Sequence, residues 1–396
     1  SKILLYKFLF SFSSFFSCFI LFFLSSSNFA NFSFDILTFS SSLTVSCLTG
    51  SIFFSFEAES FLWKSRDQFF NDRKKITHRL ECLFRKKESE KTLSDYSYDL
   101  YKNCCKMDKE TVISEDFLTR HIPKVKPKGY KDLPEMRTRL VDWLIEVFHA
   151  YTFSDASFFL AIDMMDRFLS LSKEKVHVLD LHLIGITSTF ITTKLEEVLI
   201  PSLNIIIRNI AFNKYSAEKI RSKECEILNT TNFFVTSVTT LDFITLIFED
   251  FVINNMPKIT KLNMIKHVNI LWKCSIYMAK FLAHYDYFTH ILCSIKALIS
   301  IIRGFDIYRT LYPNLPSSSA GTFLEQFIIF ANNAFLPKGF TKDYLEKISD
   351  AASKYLKVFF HDPNCNLNKT ELSSIQKMID EILVEEDIKT AITADI

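Results

Sequence analysis

The spacing of apolar residues predicts an α-helical body that begins at Pro134, a residue suited to the first turn of a helix. In the first predicted helix, apolar positions recur at i, i+4, i+7 and i+11, so they share one helix face. These positions are Met136, Leu140, Trp143 and Val147. Four more helices are predicted before residue 236, at about 154–169, 178–198, 203–210 and 216–230.

A second series of helical patterns follows and repeats this number of helices. Its five segments are 241–253, 261–282, 289–302, 322–335 and 341–360. No part of the body shows the apolar–polar alternation that is typical of a β-strand. The pattern therefore predicts an all-α protein with two tandem five-helix lobes, at 134–235 and 236–360, and an acidic, partly helical tail at 361–396.

Composition argues against catalysis and against a bound cofactor. Only 6 of the 396 residues are glycine, and they stand too far apart to form a phosphate-binding loop. The nine cysteines include no C-x-x-C pair and the nine histidines no H-E-x-x-H, so the short-range zinc motifs are missing. We therefore expect a reduced, intracellular protein that is not an enzyme and that holds no metal and no cofactor.

Residues 1–63 have an unusual composition, with 16 phenylalanines and 16 serines. The uncharged stretch 8–24 is close to the lower length limit for a membrane-spanning helix. A membrane segment, a low-complexity or wrongly assigned prefix, and an ordered extension all stay open, and the Phe–Ser composition favours the low-complexity prefix. The chain begins with Ser1 rather than Met, so we do not expect residue 1 to be a natural start. We expect no membrane association.

A basic linker at 64–93 connects this prefix to the helical body. Ten basic residues fall between positions 64 and 91, and the runs 73–75 and 85–87 are spaced like a two-part nuclear import signal. A solvated, charged linker explains the same residues. The formal net charge of the whole chain is only +2, so nucleic acid is not expected as a partner.

Four charged residues stand out in the apolar helical body. Arg137 lies beside the apolar face of the first helix and Asp166 near the end of the second, so we predict a buried structural ion pair between them. Lys194 lies near the end of the most apolar helix, where a lysine also suits the helix C-terminus. Glu224 lies in the middle of the fifth helix and would by itself be an ordinary surface acid.

Several short runs of residues follow one another in a fixed order on these helices. Residues 136–147 read MRTRLVDWLIEV, 166–169 read DRFL and 193–197 read TKLEE, while 95–100 upstream read DYSYDL. Together these runs resemble the motifs of the cyclin family, of the A/B or mitotic type. The resemblance implies two cyclin-fold lobes, the first being the cyclin box, preceded by an N-terminal helix and its connection at 94–133.

The resemblance implies a regulatory subunit that binds and activates a cyclin-dependent protein kinase and so controls cell-cycle progression. In the family, residues at the positions of Lys194 and Glu224 hold groups around the mobile C-helix of the kinase, and apolar neighbours complete the contact. We call the implied set the kinase-contact residues: Tyr96, Leu100, Lys194, Leu195, Glu197, Glu224, Ile227, Leu228, Phe233 and Val235. None of them is expected to be catalytic.

A second family site docks R-x-L motifs of substrates and inhibitors, which would be further partners. We call the matching residues the docking patch: Met136, Arg139, Leu140, Trp143, Glu146, Leu181 and His182. Arg139 stands where a branched apolar residue is usual, and His182 where glutamine is common. An arginine in this patch is expected to repel a basic docking motif.

Two other classes of function stay open. A cyclin-fold transcription factor or pocket-type binding protein would act without a kinase, but it would need a basic face, and the two lobes mix acids and bases. An unrelated membrane-anchored helical protein would require residues 1–63 to be a real membrane segment. The cyclin interpretation predicts a location in the nucleus and the cytoplasm.

Overall fold

The computed structural model describes residues 94–122, 132–261, 264–360 and 362–394. These residues form helices, short helical turns and loops, and no strand occurs among them, which confirms the predicted all-α fold. The predicted low-complexity prefix at 1–63 and the basic linker at 64–93 lie outside the described residues. Within the described ranges, no helix is both long enough and apolar enough to cross a membrane.

An N-terminal helix precedes a first set of five helices. The N-terminal helix is α1 (Ser94–Glu110), and the 3₁₀ turns Thr119–His121 and Val178–Asp180 lie in the connections. The five helices are α2 (Leu133–Ala150), α3 (Asp155–Leu171), α4 (Leu181–Glu196), α5 (Leu203–Ile205, continued by the π-helical turn Ile206–Ile210) and α6 (Ala217–Thr230). Their order agrees with the sequence pattern.

A second set of five helices follows, and a tail helix completes the described chain. The five are α7 (Thr240–Lys261), α8 (Ile265–His284), α9 (Cys293–Leu311), α10 (Ser319–Ala334) and α11 (Lys342–Phe359). The turns Asp286–Phe288 and Leu315–Ser317 are 3₁₀. In the tail, the π-helical turn Asn368–Leu372 leads into α12 (Ser373–Ala394).

Local sequence signals explain where several helices begin. The hydroxyl of Ser154 accepts a hydrogen bond from the Ser157 N–H at 3.2 Å, and Ser216 caps α6 in the same way through the Lys219 N–H. Pro134 lies in the first turn of α2, where its missing N–H costs nothing. Each serine cap is worth about 1 kcal/mol relative to alanine.

Two helices end later than the sequence pattern predicts. Helix α7 continues past residue 253 and through Pro257, and the fully buried Ile259 holds its final turns against the core. Helix α9 continues past residue 302 because Phe305 and Tyr308 are buried on its inner face. Tertiary packing therefore decides both ends.

Helices α8 and α9 approach each other closely in the second set. A Cβ added at Gly304 of α9 would lie 2.8 Å from the backbone nitrogen of Ser275 and 3.0 Å from the carbonyl carbon of Cys274, both in α8. No side chain fits into this space, because backbone atoms cannot yield as a flexible side chain can. Glycine at this position permits the close packing of the two helices.

Helix α1 packs against the second set of helices. The Asp108 carboxylate accepts hydrogen bonds from the N–H groups of Cys293 and Ser294, both at 2.9 Å, and so caps the start of α9. The hydroxyl of Tyr101 donates to the carbonyl of Phe335. A carboxylate at a helix N-terminus interacts favourably with the helix dipole, so Asp108 fastens α1 to α9.

The tail packs on α8 and belongs to the same core. Leu367, Ile375 and Ile379 are all nearly inaccessible. The ammonium of Lys280 in α8 lies 2.6 Å from an oxygen of Asp155 and 2.5 Å from an oxygen of Glu371. Because burial of the lysine is offset by two carboxylates, this bridge ties the tail to α8 and to the start of α3.

Arg137 and Asp166 form the predicted ion pair, and their side chains are only 1% and 4% exposed. The Arg137 guanidinium donates to both carboxylate oxygens, at 2.7 Å and 2.5 Å. It also donates to the carbonyls of Ala283 and His284, at 3.0 Å and 3.2 Å, at the end of α8. Burial raises the pKa of the Asp166 carboxyl, and the positive charge of Arg137 opposes that rise. One side chain therefore joins α2, α3 and α8.

We expect Arg137→Ala to lower the free energy of unfolding by about 3–5 kcal/mol, because Asp166 would stay buried without its partner. The matched control is Arg139→Ala, two residues further along α2. Arg139 pairs with Glu135 at 2.6 Å, but both side chains are more than half exposed, so its loss should cost less than about 1 kcal/mol. Urea unfolding of the three proteins measures both changes. Equal stability of the two variants would contradict the buried pair.

Candidate partner-binding surface

Lys194 and Glu224 lie next to each other, although they are 30 residues apart in the sequence. Lys194 is in the last turn of α4 and Glu224 is in α6, and the lysine ammonium donates a hydrogen bond to the glutamate carboxylate. The ammonium also lies 4.3 Å from the centre of the Phe190 ring. The two side chains are 28% and 16% exposed, so the pair lies at the surface with restricted access to solvent.

Apolar side chains are exposed close to this pair in the sequence. Leu195, the residue after Lys194, is 37% exposed, and Phe233, just after the end of α6, is 65% exposed. Leu228 and Val235 are half-buried and pack against the core. Large apolar groups left in water in this way are typical of surfaces that bind another protein.

The backbone after α6 presents Phe233 to solvent. Asn232 and Phe233 have φ angles of +51° and +56°, in the left-handed region that a bulky residue rarely adopts. The Phe233 N–H donates to the carbonyl of Leu228 at 2.8 Å and closes this helix end without a glycine. Arg167 holds the next residue, because its guanidinium donates to the Phe234 carbonyl at 2.8 Å and lies over the Phe234 ring.

Sequence reasoning missed several exposed apolar residues in the loops that follow α4 and α6. Phe234, Val198 and Ile200 are 42%, 69% and 57% exposed. A groove also runs from the end of α1 to the end of α3 and is lined by Met107, Val112, Leu171 and Phe234, among others. Two runs of apolar residues, at loop positions 198–200 and 233–235, could have indicated these exposed residues from the sequence. Loops rarely contain so many apolar side chains unless they bind something.

The structure places two of the kinase-contact residues inside the fold. Ile227 is completely buried inside α6 and belongs to the core. Glu197 is 6% exposed, and one of its carboxylate oxygens accepts from the Ser154 N–H and the Ser157 hydroxyl, both at 2.7 Å. Glu197 therefore supports the start of α3. Leu100 is half-buried on α1, and the side chain of Tyr96 lies outside the described residues.

The docking patch is only partly accessible. Leu140 and Leu181 are buried, while Met136, Trp143 and His182 are half-buried. Arg139 and Glu146 are exposed. The Trp143 and His182 rings lie 4.9 Å apart, and the Asn366 amide of the tail donates to Glu146 at 3.2 Å. The available surface is therefore the Trp143–His182 pair flanked by charged groups.

His182 occupies an environment that disfavours its charged form. Its Nδ1 lies 3.0 Å from the Tyr215 hydroxyl, which can donate to the neutral ring. Burial, reinforced by the positive charge of Lys214, lowers the pKa of His182 to about 4. The docking patch therefore carries a neutral imidazole at physiological pH.

The first set of helices carries a surface ion pair and several exposed apolar side chains, a combination that is common on surfaces that bind another protein. Residues 99–236 match the family model described as the cyclin N-terminal domain. This match includes the runs at 136–147, 166–169 and 193–197, and it covers most of α1 and all of α2–α6.

Three curated relatives are cyclins of two types, G1/S-specific and G2/mitotic-specific. The G1/S-specific cyclin-E of Hemicentrotus pulcherrimus is 40% identical over 113 residues, which cover 28% of this chain and 26% of the relative. The G2/mitotic-specific cyclin-B1 of Caenorhabditis elegans is 31% identical over 146 residues, 37% of each chain. The G1/S-specific cyclin-E1 of Gallus gallus is 30% identical over 161 residues, 41% of this chain and 37% of the relative. The match thus spans about a third of these relatives.

Two solved structures are also similar. A viral cyclin from herpesvirus saimiri has a TM-score of 0.43 and 13% sequence identity, with 66% of this chain and 99% of that chain covered. A chain of the CAK complex from Chaetomium thermophilum has a TM-score of 0.37 and 13% identity, with 80% and 96% covered.

We expect His182 to make the protein less stable as the pH falls. The unfolded chain protonates His182 near pH 6.5, whereas the folded chain resists protonation until about pH 4. The stabilisation is therefore complete above pH 6.5 and is lost between these two values. We expect a loss of about 1–2 kcal/mol, because the ring is partly exposed to screening solvent. Urea unfolding at several pH values measures it, and an unchanged pH slope in His182→Gln would contradict it.

Proposed function

We propose that this protein is the regulatory subunit of a cyclin-dependent protein kinase. The observation that carries the proposal is the contact between Lys194 and Glu224 on a surface with exposed apolar side chains. The two residues come from different helices, and the cyclin resemblance implies a kinase-binding role for both. A shared kinase-binding role requires the two side chains to lie on the same side of the protein, and their contact supports this.

The proposed mechanism is a shift of the kinase population toward its active state. A protein kinase needs an ion pair between a strand lysine and a C-helix glutamate, so the position of the C-helix controls its activity. A partner that binds the inward position more tightly than the outward one shifts the equilibrium by that difference in affinity. The proposed subunit needs no catalytic residue of its own.

Polar and apolar groups have different roles in the proposed contact. A lysine ammonium has three N–H donors, and Lys194 uses one of them on Glu224. The others can bind carbonyl groups at a helix end of the kinase, while Glu224 keeps the ammonium in place. Phe233, Leu195 and Val198 supply apolar area, which provides most of the binding free energy in such interfaces.

We assign the protein to the mitotic type on the basis of the run at 95–100, which resembles the N-terminal helix of A- and B-type cyclins. The corresponding helix α1 ends beside the groove formed with α3 and Phe234, so it can extend the binding surface. The proposed location is the nucleus and the cytoplasm.

We expect the double variant Lys194→Ala with Glu224→Ala to lose kinase capture by at least about tenfold, because interface anchors of this kind contribute about 2 kcal/mol or more. The tagged full chain is used to pull down protein from a eukaryotic lysate, and the bound histone-directed kinase activity is measured. The matched control is Lys223→Ala with Glu226→Ala, which removes another ion pair, 2.6 Å long, from the same helix. Thermal unfolding of both variants verifies that they fold.

Unchanged capture by the Lys194–Glu224 variant would refute the proposed contact surface. Absence of kinase activity with the unaltered chain would favour the alternative, a cyclin-fold transcription or pocket-type binding protein. That alternative would bind DNA or peptide directly, which a binding assay on the same preparation measures.

The docking patch is proposed to bind R-x-L motifs weakly. Arg139 adds a positive charge at the edge of the patch, and the exposed Glu135 offsets this charge only in part. Two apolar residues of the patch, Leu140 and Leu181, are buried. We expect Arg139→Leu to raise the affinity for an R-x-L peptide several-fold by removing repulsion and adding apolar area. Fluorescence anisotropy measures the change, with Arg221→Leu, at an exposed position of α6, as a control for added surface leucine. Equal or weaker binding by Arg139→Leu would exclude this explanation.

A further inference from the structure

Three metal-ligating side chains meet where α2, α8 and the tail come together. The Oδ1 atom of Asp142 lies 3.1 Å from the Cys365 sulfur and 3.4 Å from the His284 Nε2. All three potential ligand atoms lie within 4.8 Å of one another. His284 is 1% exposed and Cys365 6%, while Asp142 is half-buried. The cluster is therefore enclosed on the protein side and reachable from solvent through the aspartate.

A contact outside the cluster orients the histidine as a metal ligand. The His284 Nδ1 lies 2.8 Å from the carbonyl of Lys280, one turn earlier in α8, so Nδ1–H donates there. This bond leaves Nε2 facing Asp142, and when Nε2 carries no proton its lone pair is available to an ion. A histidine held through Nδ1–H by a backbone carbonyl, with Nε2 presented to an ion, is a common arrangement in metal sites.

We propose that Asp142, His284 and Cys365 bind a zinc ion. Zinc accepts thiolate, imidazole and carboxylate ligands at about 2.0–2.3 Å, which requires ligand atoms roughly 3.3–3.7 Å apart in a tetrahedral site. The two distances from Asp142 need to change by only a few tenths of an ångström, and the His284 Nε2 to Cys365 sulfur distance, which is within 4.8 Å, needs to shorten by no more than about 1.3 Å. The thiolate excludes calcium and magnesium, which prefer sites made of oxygen ligands alone.

Zinc binding would replace the hydrogen bond between Cys365 and Asp142 with bonds to the ion. In the metal-free protein, the Cys365 thiol donates to Asp142, and the Asn366 N–H donates to the same carboxylate at 3.0 Å. When the zinc–sulfur bond forms, the thiol proton is released to solvent, and the ion takes the place of that proton between sulfur and oxygen. The Asn366 bond can persist on the second carboxylate oxygen, from which it lies 3.2 Å. A water molecule would complete the fourth position.

The ion would fasten the tail to both sets of helices. Asp142 belongs to α2, His284 ends α8, and Cys365 lies in the connection that leads to α12. The site also adjoins the docking patch, since the neighbouring Asn366 bonds to Glu146. The three ligands are far apart in the sequence, so no short-range zinc motif contains them. The proposal does not depend on the kinase-binding role.

Cobalt(II) titration of the full chain tests the site, after removal of bound metal with a chelator. We expect one Co²⁺ per chain, with visible absorption of tetrahedral strength and a thiolate-to-cobalt charge-transfer band. Cys365→Ser should abolish the charge-transfer band and weaken Co²⁺ binding at least about tenfold. Cys225→Ser, which alters an exposed cysteine on α6, should match the unaltered chain.

Thermal unfolding with added Zn²⁺ gives a second measurement that keeps the test decisive if Cys365→Ser is unstable. Zinc should raise the Tm of the unaltered chain, because it binds only the folded arrangement. Asp142→Asn should lose this increase, since its neutral amide is a weaker ligand but can still accept from Asn366. A charge-transfer band that survives in Cys365→Ser, or no band in the unaltered chain, would overturn the proposal.

Discussion

The arrangement of the helices depends on one buried guanidinium. Arg137 satisfies both oxygens of Asp166 in α3 and two carbonyls at the end of α8, and almost no solvent reaches it. An isolated charge in that position would be very costly, so the three helices must stay in register for the fold to persist. Helix α4 packs on α3, and its last turn carries Lys194. The position of the proposed partner surface therefore follows from a contact that lies inside the protein.

Much of the fold could be predicted because local rules determine it. Apolar periodicity gave the two series of helices, and serine caps gave the starts of α3 and α6. The Arg137–Asp166 pair was predictable because both charges adjoin apolar helix faces. The ends of α7 and α9 were not predictable, because burial of Ile259 and Tyr308 against distant helices sets them. Neither was the packing of the tail, which depends on contacts with α3 and α8.

At the candidate surface, the family motif identifies positions in the sequence but does not predict which of them are exposed. Matching a motif position gave Lys194 and Glu224, which meet in space, but it also gave Ile227 and Glu197, which face inward. Burial of those two depends on neighbouring helices that a motif does not describe. Since Lys194 and Glu224 neutralise each other, this pair adds little long-range attraction for a partner. The proposed contribution of the pair to recognition is therefore short-range hydrogen bonding, added to the apolar area of its neighbours.

The bridge from Lys280 to Asp155 and Glu371 has a practical consequence for how the molecule can be shortened. Ending the chain at residue 360, where the second series of helices is complete, would remove one of the two acids that balance a deeply placed ammonium. It would also uncover the part of α8 that Leu367, Ile375 and Ile379 protect. A C-terminal boundary placed after the tenth helix of the two sets would therefore divide a folding unit. A shortened protein that contains both sets of helices needs to keep the tail, from the turn Asn368–Leu372 through α12.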